Sequence, residues 1–357
     1  MSFRLEPLPL PSSVRLETEA VLRQLAKSHR RLAELKGAAA TIPNEAILID
    51  TLALQEAKDS SAIENIITTE DELFRTDSTP DAPGTLAAKE VHRYGAALKV
   101  GFERVRQQGF LRLDDVLAVQ ATLEQNRAGL RKLPGTVLKN ADSGKVVYEP
   151  PQDATRVEQL MDNFITWLNR AEPGDADPSV QMAVLHWQFE SIHPFYDGNG
   201  RTGRILNLLH LVMHGLLDLP VLYLSRHIVR NKADYYRGLQ SVRETGEWEP
   251  WVLYLLRAVE TTAQETLTQV TGIRSLMQET KQRLRAELPR LYSQDLLNNL
   301  FRHPYTKVEF IEHDLGVSRP TAMKYLDTLH TAGFVKKTKL GRTNFYINEP
   351  LFALLGR

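Results

Sequence analysis

Apolar residues recur at helical spacing along almost all of the 357-residue chain, and this pattern limits its fold more than any other feature. Signals for β-strands occur in two places only, Thr136–Glu149 and Val335–Ile347, where short β-prone runs flank a glycine-containing turn. The helical runs are Val14–Leu35, Asn44–Glu64 with Asn44 as N-cap, Leu86–Gln107, Asp114–Glu124, Arg156–Asn169, Val180–Ser191, Gly203–His214, Ala233–Val242 and Pro250–Leu288. The pattern predicts a mainly α protein with two β-hairpins.

Composition narrows the class of protein further. The chain is long for one hydrophobic core, so we expect two or three domains, with the last boundary within Leu284–Gln294. Hydrophobic residues make up 42% and charged residues 25%, as in soluble globular proteins. No run of about 20 apolar residues is present, and the first ten residues lack the apolar core of a secretory signal. These features predict a cytoplasmic protein without membrane contact. Cysteine is absent, which excludes disulfides, thiolate metal sites and a cysteine nucleophile.

One segment between two helical runs differs from the rest of the chain. Residues 193–204 read HPFYDGNGRTGR. Pro194 stops the first helix, whereas Gly198 and Gly200 permit backbone conformations that other residues avoid. The second helix is predicted to begin near Gly200, so its first free N–H groups point into the loop and form an anion site.

Four side chains of this segment suit polyphosphate chemistry. Arg201 and Arg204 are three residues apart on the second helix and can face one anion. Asp197 offers an oxygen ligand, and one carboxylate plus substrate phosphates is the usual way in which proteins bind magnesium. His193 suits a general base, because an unperturbed imidazole titrates near neutrality. The alternative is a simple interhelical turn with surface arginines, which would require all these residues to coincide by chance.

The twelve-residue run resembles the signature of the Fic family, HPFx(D/E)GNGRxxR, at every specified position. The resemblance implies an all-helical core with a β-hairpin flap and transfer of AMP from ATP to a Ser, Thr or Tyr hydroxyl of a protein. It implies that His193 deprotonates the hydroxyl, that Asp197 holds Mg²⁺ (or Mn²⁺) and that Phe195 anchors the loop. The loop residues expected to bind the nucleotide are Asp197, Gly198, Asn199, Gly200, Arg201, Thr202, Gly203 and Arg204.

Two further segments resemble parts of the family's nucleotide pocket. The hairpin Thr136–Glu149 resembles the flap, whose strand edge could hold an extended target segment by β-augmentation. By this resemblance the nucleotide is also covered by Val146, Val147 and Tyr148 and lined by Tyr235 and Tyr236. The alternative for the tyrosine pair is packing. Seven residues after the tyrosine pair, some relatives carry an asparagine that contacts the ribose and adenine. This chain has Arg243 there and so departs from the family pattern at that contact.

A segment far upstream resembles the family's inhibitory motif, (S/T)xxxE(G/N). Ser60, Glu64 and Asn65 match it fully and lie at the end of a predicted helix. The resemblance implies that Glu64 pairs with Arg204, removes the guanidinium intended for the γ-phosphate and repels the triphosphate. The alternative is an ordinary helix end with Glu64 on a solvated face.

The C-terminal region has the pattern of a winged helix-turn-helix domain. Val308–Asp314 and Ser318–Ala332 form two predicted helices, and the hairpin within Phe334–Asn348 follows. From Arg290 onward the chain carries 10 basic and 6 acidic residues, a net charge of +4. The candidate DNA contacts are Ser318, Arg319, Thr321, Lys324 and Arg342. A winged helix used only for dimerisation or docking is the alternative.

Together these features predict a self-inhibited AMP transferase. The expected parts are an N-terminal helical region with the inhibitory helix (1–110), a Fic core (111–283) and a winged helix-turn-helix domain (284–357). The expected partners are a target protein on the flap, DNA at the C-terminal region and a second copy in a homodimer. Two other functions stay open: a DNA-binding regulator that senses nucleotide, and a hydrolase that removes AMP with Glu64 orienting water.

Overall fold

The computed structural model describes residues 4–77, 85–139, 144–172, 174–340 and 343–356. The helices are α1 (Glu19–Ala39), α2 (Glu45–Ile63), α3 (Glu70–Asp77), α4 (Leu86–Gln108), α5 (Leu113–Glu124), α6 (Ala154–Leu168), α7 (Pro178–Ile192), α8 (Asn199–Met213), α9 (Leu224–Arg230), α10 (Lys232–Thr245), α11 (Glu249–Glu287), α12 (Gln294–Arg302), α13 (Val308–Leu315), α14 (Arg319–Thr331) and α15 (Glu349–Leu355). The strands are β1 (Leu138–Lys139), β2 (Val146–Tyr148), β3 (Tyr305–Thr306), β4 (Lys336–Leu340) and β5 (Thr343–Ile347). The prediction of a mainly α protein is confirmed.

Helix ends follow local capping chemistry. The predicted cap Asn44 accepts a hydrogen bond from the Ala46 N–H and starts α2. The prediction that the first helix begins at Val14 is wrong, because Thr18 has extended backbone and its hydroxyl accepts from the N–H of Val21. Helices α3, α9, α12 and α15, which have seven to nine residues, were not predicted. Helices of fewer than three turns show few repeats of the apolar pattern.

The core is organised around α7, in which every residue after Pro178 is buried. Helix α7 packs against α6, α8 and α11, and α8 also packs against α4 and α5. The long helix α11 lies along α1. The loop between α7 and α8 is therefore held on both sides by buried helices, which fixes the position of residues 193–198.

The two hairpins occur where they were predicted but differ in length. In the first, Leu138 pairs with Tyr148 and Lys139 with Val146, so the described strands are shorter than the predicted Thr136–Glu149. Residues 140–143 of its turn lie outside the described residues. In the second, β4 pairs with β5, and β3 joins to give the sheet order β3-β5-β4.

The C-terminal region packs against the N-terminal helices. It contains α12, β3, α13, α14, β4, β5 and α15 in chain order, so the two predicted helices are followed by the predicted hairpin. The winged helix-turn-helix assignment stays a prediction. Helix α11 passes the expected boundary at residue 283 and ends at Glu287. Helices α12 and α15 contact α2. In α2, Asp50 pairs with Arg302 of α12 and with Lys99 of α4. Helix α2, which ends next to Glu64, is thus attached to the C-terminal region. The domain limits stay a prediction.

None of the helices in the described parts of the chain is long and apolar enough to cross a membrane. The cytoplasmic location stays a prediction.

Candidate functional site

The loop between α7 and α8 has a defined backbone. His193 ends α7 in the left-handed conformation, with φ of 47°, and Gly198 precedes α8 with φ of 77°. The side chain of Asn199 accepts from the N–H of Phe195 and donates to its carbonyl, both at 2.8 Å. The Phe195 ring is fully buried. The predicted anchor therefore lies in the core, while Asn199 closes the loop and does not face a ligand with its amide.

The charged groups of the loop are arranged around the start of α8. Arg201 and Arg204 are buried, with side-chain exposures of 5% and 2%. The Asp197 side chain is 76% exposed, and its Oδ1 accepts from the N–H of Gly198 at 2.7 Å. Two buried cations, a helix N-terminus and an accessible carboxylate thus lie together at the start of α8, and groups of these kinds suit an anion.

The predicted ion pair between α2 and the loop is present. Glu64 Oε1 accepts from Arg204 Nη2 at 2.7 Å, and Glu64 Oε2 lies 3.0 Å from Arg201 Nε. Arg204 also donates to the hydroxyl and the carbonyl of Ser60, at 2.7 and 3.0 Å. Asn65 adopts φ of 64°, which asparagine tolerates better than most residues and which turns the chain away after α2. One carboxylate thus engages both arginines of the loop.

Two more carboxylates surround Arg201, and sequence reasoning missed them. Glu90 of α4 lies 3.0 Å from Arg201 Nη1, and Glu124 at the end of α5 lies 2.9 Å from Nη2. Burial raises the pKa of Glu124, an effect that Arg201 opposes. No motif spacing connects either glutamate with the loop, so only the packing of α4 and α5 against α8 reveals them.

The glycines of the loop are covered by these carboxylates. A Cβ on Gly200 would lie 2.8 Å from Glu64 Oε1, and one on Gly198 would lie 3.0 Å from Glu124 Cδ. Both glycines therefore allow a carboxylate to approach the backbone where a phosphate is expected to bind. The loop is occupied by negative side chains in this conformation.

His193 lies beside the loop and is largely enclosed. Burial lowers the pKa of His193 to about 4, and the positive charges of Arg131 and Arg243 act in the same direction. The main-chain carbonyl of Glu190 and the charge of Asp197 oppose the shift. The imidazole is therefore unprotonated at neutral pH, as a proton acceptor must be.

The predictions for Thr202 and Gly203 need correction. Both are buried, and the Thr202 N–H donates to the Gly198 carbonyl within the helix, so it cannot bind phosphate. A Cβ on Gly203 would lie 2.9 Å from Glu190 Oε1, which means that this glycine allows α8 to approach α7. Burial raises the pKa of Glu190 to about 7. Thr202, Gly203 and Glu190 therefore support the loop through the packing of α8 against α7.

The tyrosine pair divides between packing and exposure. Tyr235 is buried and its hydroxyl lies 2.8 Å from Nε2 of His186, so the packing alternative is correct for this residue. Tyr236 is 49% exposed and stays a candidate for stacking on a base. Arg243 lies on the same helix, α10, and its guanidinium is 4.0 Å from the centre of the Tyr148 ring.

The flap residues also face different ways. Val146 and Val147 are exposed, whereas Tyr148 is buried and its hydroxyl donates to the carbonyl of Ser191 at 2.8 Å. Tyr148 therefore fixes the flap to the end of α7, and its buried side chain is not available to cover a nucleotide. Val146 and Val147 remain candidates for contact with a ligand or target.

The candidate DNA contacts lie at the start of α14, apart from one. Ser318, Thr321 and Lys324 lie near solvent, and the Ser318 hydroxyl bonds to that of Thr321 instead of capping the helix backbone. Arg319 is paired with Glu309 at 2.8 Å and Glu312 at 3.2 Å. Arg342 lies outside the described residues.

The helical fold and the loop between α7 and α8 match one known class of proteins. The description "Fic/DOC family N-terminal" matches residues 22–103, and "Fic/DOC family" matches residues 110–211. The description "Protein adenylyltransferase SoFic-like, C-terminal domain" matches residues 276–351. The chain belongs to the Fic/DOC family.

Curated relatives and solved structures agree with this family. The chain is 34% identical over 139 residues to "Protein adenylyltransferase fic-1" of Caenorhabditis briggsae, covering 36% of the chain and 26% of that protein. It is 31% identical over 121 residues to "Protein adenylyltransferase Fic" of Nematostella vectensis, covering 34% and 26%. The chain thus spans about a quarter of the length of these relatives.

Two solved structures share the fold. The crystal structure of a Fic family protein from Desulfovibrio desulfuricans G20 has a TM-score of 0.59 and 20% identity, covering 93% of this chain and 96% of that one. Fic-1 from C. elegans has a TM-score of 0.54 and 21% identity, covering 69% and 71%.

Proposed function

We propose that the chain transfers AMP from ATP to the hydroxyl of a Ser, Thr or Tyr side chain in a target protein. The observation that supports this function best is the placement of an unprotonated His193 beside a loop with two buried arginines and an exposed Asp197. Such a site joins a proton acceptor to a polyphosphate cradle. The names of the matched relatives point to the same reaction.

The chemistry follows from the positions of these groups. The target hydroxyl oxygen attacks the α-phosphorus, the bond to the β-phosphate bridging oxygen breaks, and pyrophosphate leaves. The hydroxyl proton passes to His193. Arg201 would bind the α- and β-phosphates and Arg204 the γ-phosphate, so that catalysis depends on positioning and neutralisation of charge.

Asp197 fits the divalent cation that such a substrate brings. Its carboxylate is exposed at the loop, and no group of three or more metal-ligating side chains occurs among the described residues. Mg²⁺ or Mn²⁺ would thus be held by Asp197 together with phosphate oxygens, as magnesium commonly is. The ion supplies positive charge that stabilises the phosphate oxygens.

We further propose that Glu64 inhibits the reaction. Its carboxylate binds Arg204 and Arg201 and covers Gly200, so it occupies the place expected for the terminal phosphates. ATP could then bind only in a pose in which Arg204 does not contact the γ-phosphate. A rearrangement of α2 that withdraws Glu64 would release the guanidinium of Arg204 and remove one of the three glutamates around Arg201.

The flap is the proposed docking place for the target. Val146 and Val147 expose apolar surface on the flap. Among the described strands β2 pairs with β1 alone, which leaves its other edge for an extended segment. Replacing both valines by serine should weaken labelling of a target protein more than it weakens ATP binding.

DNA binding by the C-terminal region is a separate proposal. Arg319 is paired with two glutamates, and Lys337 pairs with Asp327 at 2.6 Å, which reduces the charge available to phosphates. Electrophoresis of genomic fragments at about 50 mM salt tests it. Retarded fragments that depend on Lys324 would favour the DNA-binding regulator over a docking module.

The proposed reaction is tested by incubating the protein and a cell lysate with α-³²P ATP. The Glu64→Gly variant should label one or more proteins, including itself, and Glu64→Gly/His193→Ala should not. Absence of labelling with intact ATP binding would support a nucleotide-sensing regulator. Release of AMP from a modified protein by the unaltered chain would support the hydrolase.

A further inference from the structure

A buried arginine outside the loop contacts the main chain of His193. Arg131 lies between α5 and β1, and its side chain is 1% exposed. Its Nε donates to the carbonyl of His193 at 2.8 Å, and its Nη2 donates to the carbonyls of Ile192 at 3.3 Å and of Pro151. Its own N–H donates to the carbonyl of Pro194 at 2.9 Å. Among the described residues no carboxylate forms an ion pair with it.

Burial of the Arg131 guanidinium without a carboxylate partner is energetically unfavourable. Burial lowers the pKa of Arg131, so its positive charge is destabilised there. The carbonyls at the C-terminus of α7 compensate, because a helix C-terminus carries partial negative charge. An apolar side chain would fill the space without this cost. The guanidinium is therefore used for its geometry, since a rigid fork with five donors can bind several carbonyls at once.

The carbonyls belong to two parts of the site. Ile192 and His193 end α7, and His193 has a left-handed backbone that a residue with a side chain seldom adopts. Pro151 follows the flap strand β2. We propose that Arg131 is a positioning residue for the reaction: its guanidinium holds the main chain of His193 and ties it to the end of the flap. The proposed base and the target segment are thereby kept at a fixed distance.

The charge of Arg131 has a second effect on His193. The groups that shift the pKa of His193 are Arg131 and Arg243, which lower it, and the Glu190 carbonyl and Asp197, which raise it. Loss of the Arg131 charge should therefore raise the pKa of His193 towards its ordinary value. A substitution that keeps the charge but changes the shape of the side chain should leave this pKa nearly unchanged.

Two variants separate geometry from charge. Arg131→Lys keeps the charge but cannot bind all the carbonyls, and Arg131→Gln loses the charge as well. In the Glu64→Gly background both should lower kcat by about 10–100-fold, with KM for ATP changed less than about threefold, because misplacement of a catalytic group affects the transition state most. Arg127→Gln, an exposed arginine of the same segment, is the matched control and should behave like the parent.

The kinetic measurement depends on the proposed AMP transfer, but a second measurement, of the His193 pKa, does not. NMR titration of protein with ¹³C-labelled histidine, assigned by comparison with His193→Ala, measures the pKa of His193 directly. Arg131→Gln should raise this pKa and Arg131→Lys should not. If no variant transfers AMP but the titrations behave as stated, the proposed function fails and the placement of Arg131 beside His193 stands.

A third variant, with a smaller expected effect, tests the proposal if the Arg131 variants do not fold. The Tyr196 hydroxyl accepts from the N–H groups of Lys132 and Leu133 at 2.9 and 3.2 Å, and its ring is 51% exposed. Tyr196→Phe loosens the segment that carries Arg131 without disturbing the core, and should lower kcat about 3–10-fold. Parental kcat in folded Arg131→Lys, or in Tyr196→Phe where Arg131 variants do not fold, would overturn the proposal. So would an unchanged His193 pKa in Arg131→Gln.

Discussion

Replacement of Glu64 by glycine gives the most direct test of the inhibitory contact. Glu64 forms ion pairs of 2.7 Å with Arg204 and 3.0 Å with Arg201, and both arginines are buried. After the change Arg204 keeps the hydrogen bonds to the neutral Ser60 and, among the described residues, has no ion pair left, so it can bind an anion. Arg201 still carries Glu90 and Glu124. The gain in binding free energy should therefore come mainly from the phosphate that Arg204 binds.

The magnitude follows from the strength of these pairs. Two unit charges about 4 Å apart interact by about 4 kcal/mol at an effective dielectric constant of about 20. Dehydration of the freed guanidinium on binding and the residual Ser60 bonds offset part of this value. A net coupling of about 1.4–3 kcal/mol corresponds to a rise of about 10–150-fold in AMP transfer. ATP affinity should rise more than ADP affinity, because only ATP has the γ-phosphate.

The assay is incorporation of α-³²P label into the protein itself and into lysate proteins. Glu247→Gly makes the same chemical change in an exposed turn and is the matched control. Ser60→Ala should act as Glu64→Gly does but more weakly, whereas Arg204→Ala and Glu64→Gly/Arg204→Ala should stay slow. If Glu64→Gly lowers AMP transfer, or abolishes only AMP removal, the inhibitory role is refuted and Glu64 acts in the reverse reaction.

Three further predictions concern the loop and its support. His193→Ala should lower AMP transfer by about 10²–10⁴-fold and leave ATP affinity nearly unchanged, since the imidazole acts on the hydroxyl. Labelling measures the transfer rate and calorimetry measures the ATP affinity. Transfer at the parental rate would contradict this role of His193. Because the pKa of His193 is lowered to about 4, its proton-accepting form is complete above that value and is lost as the pH falls through it; a rate loss centred near the ordinary histidine pKa would refute this. Gly203→Ala places a Cβ 2.9 Å from Glu190 and 3.1 Å from Phe189. It should lower the free energy of unfolding by about 1–3 kcal/mol in urea denaturation, and an unchanged midpoint would show that the helices can separate freely.

Features encoded within one contiguous segment could be predicted from the sequence. The phosphate loop is such a segment, because proline and glycine set its backbone and the arginines follow at helical spacing. Ser60 and Glu64 are likewise four residues apart, one helical turn, which places both on the same face at the end of α2. Local chemistry sets the loop backbone and this helix face. The pairing of Glu64 with Arg204, across 140 residues, was expected only from the resemblance to the family's inhibitory motif.

Features that join distant segments required the tertiary structure. Glu90 and Glu124 reach Arg201 across 111 and 77 residues, and Arg131 reaches His193 across 62. The burial of Tyr235 beside the exposed Tyr236 was also undecided, because a helix pattern does not show which face meets a neighbour. The physical reason is that such contacts depend on how helices pack, and packing is decided by the shapes of many side chains at once.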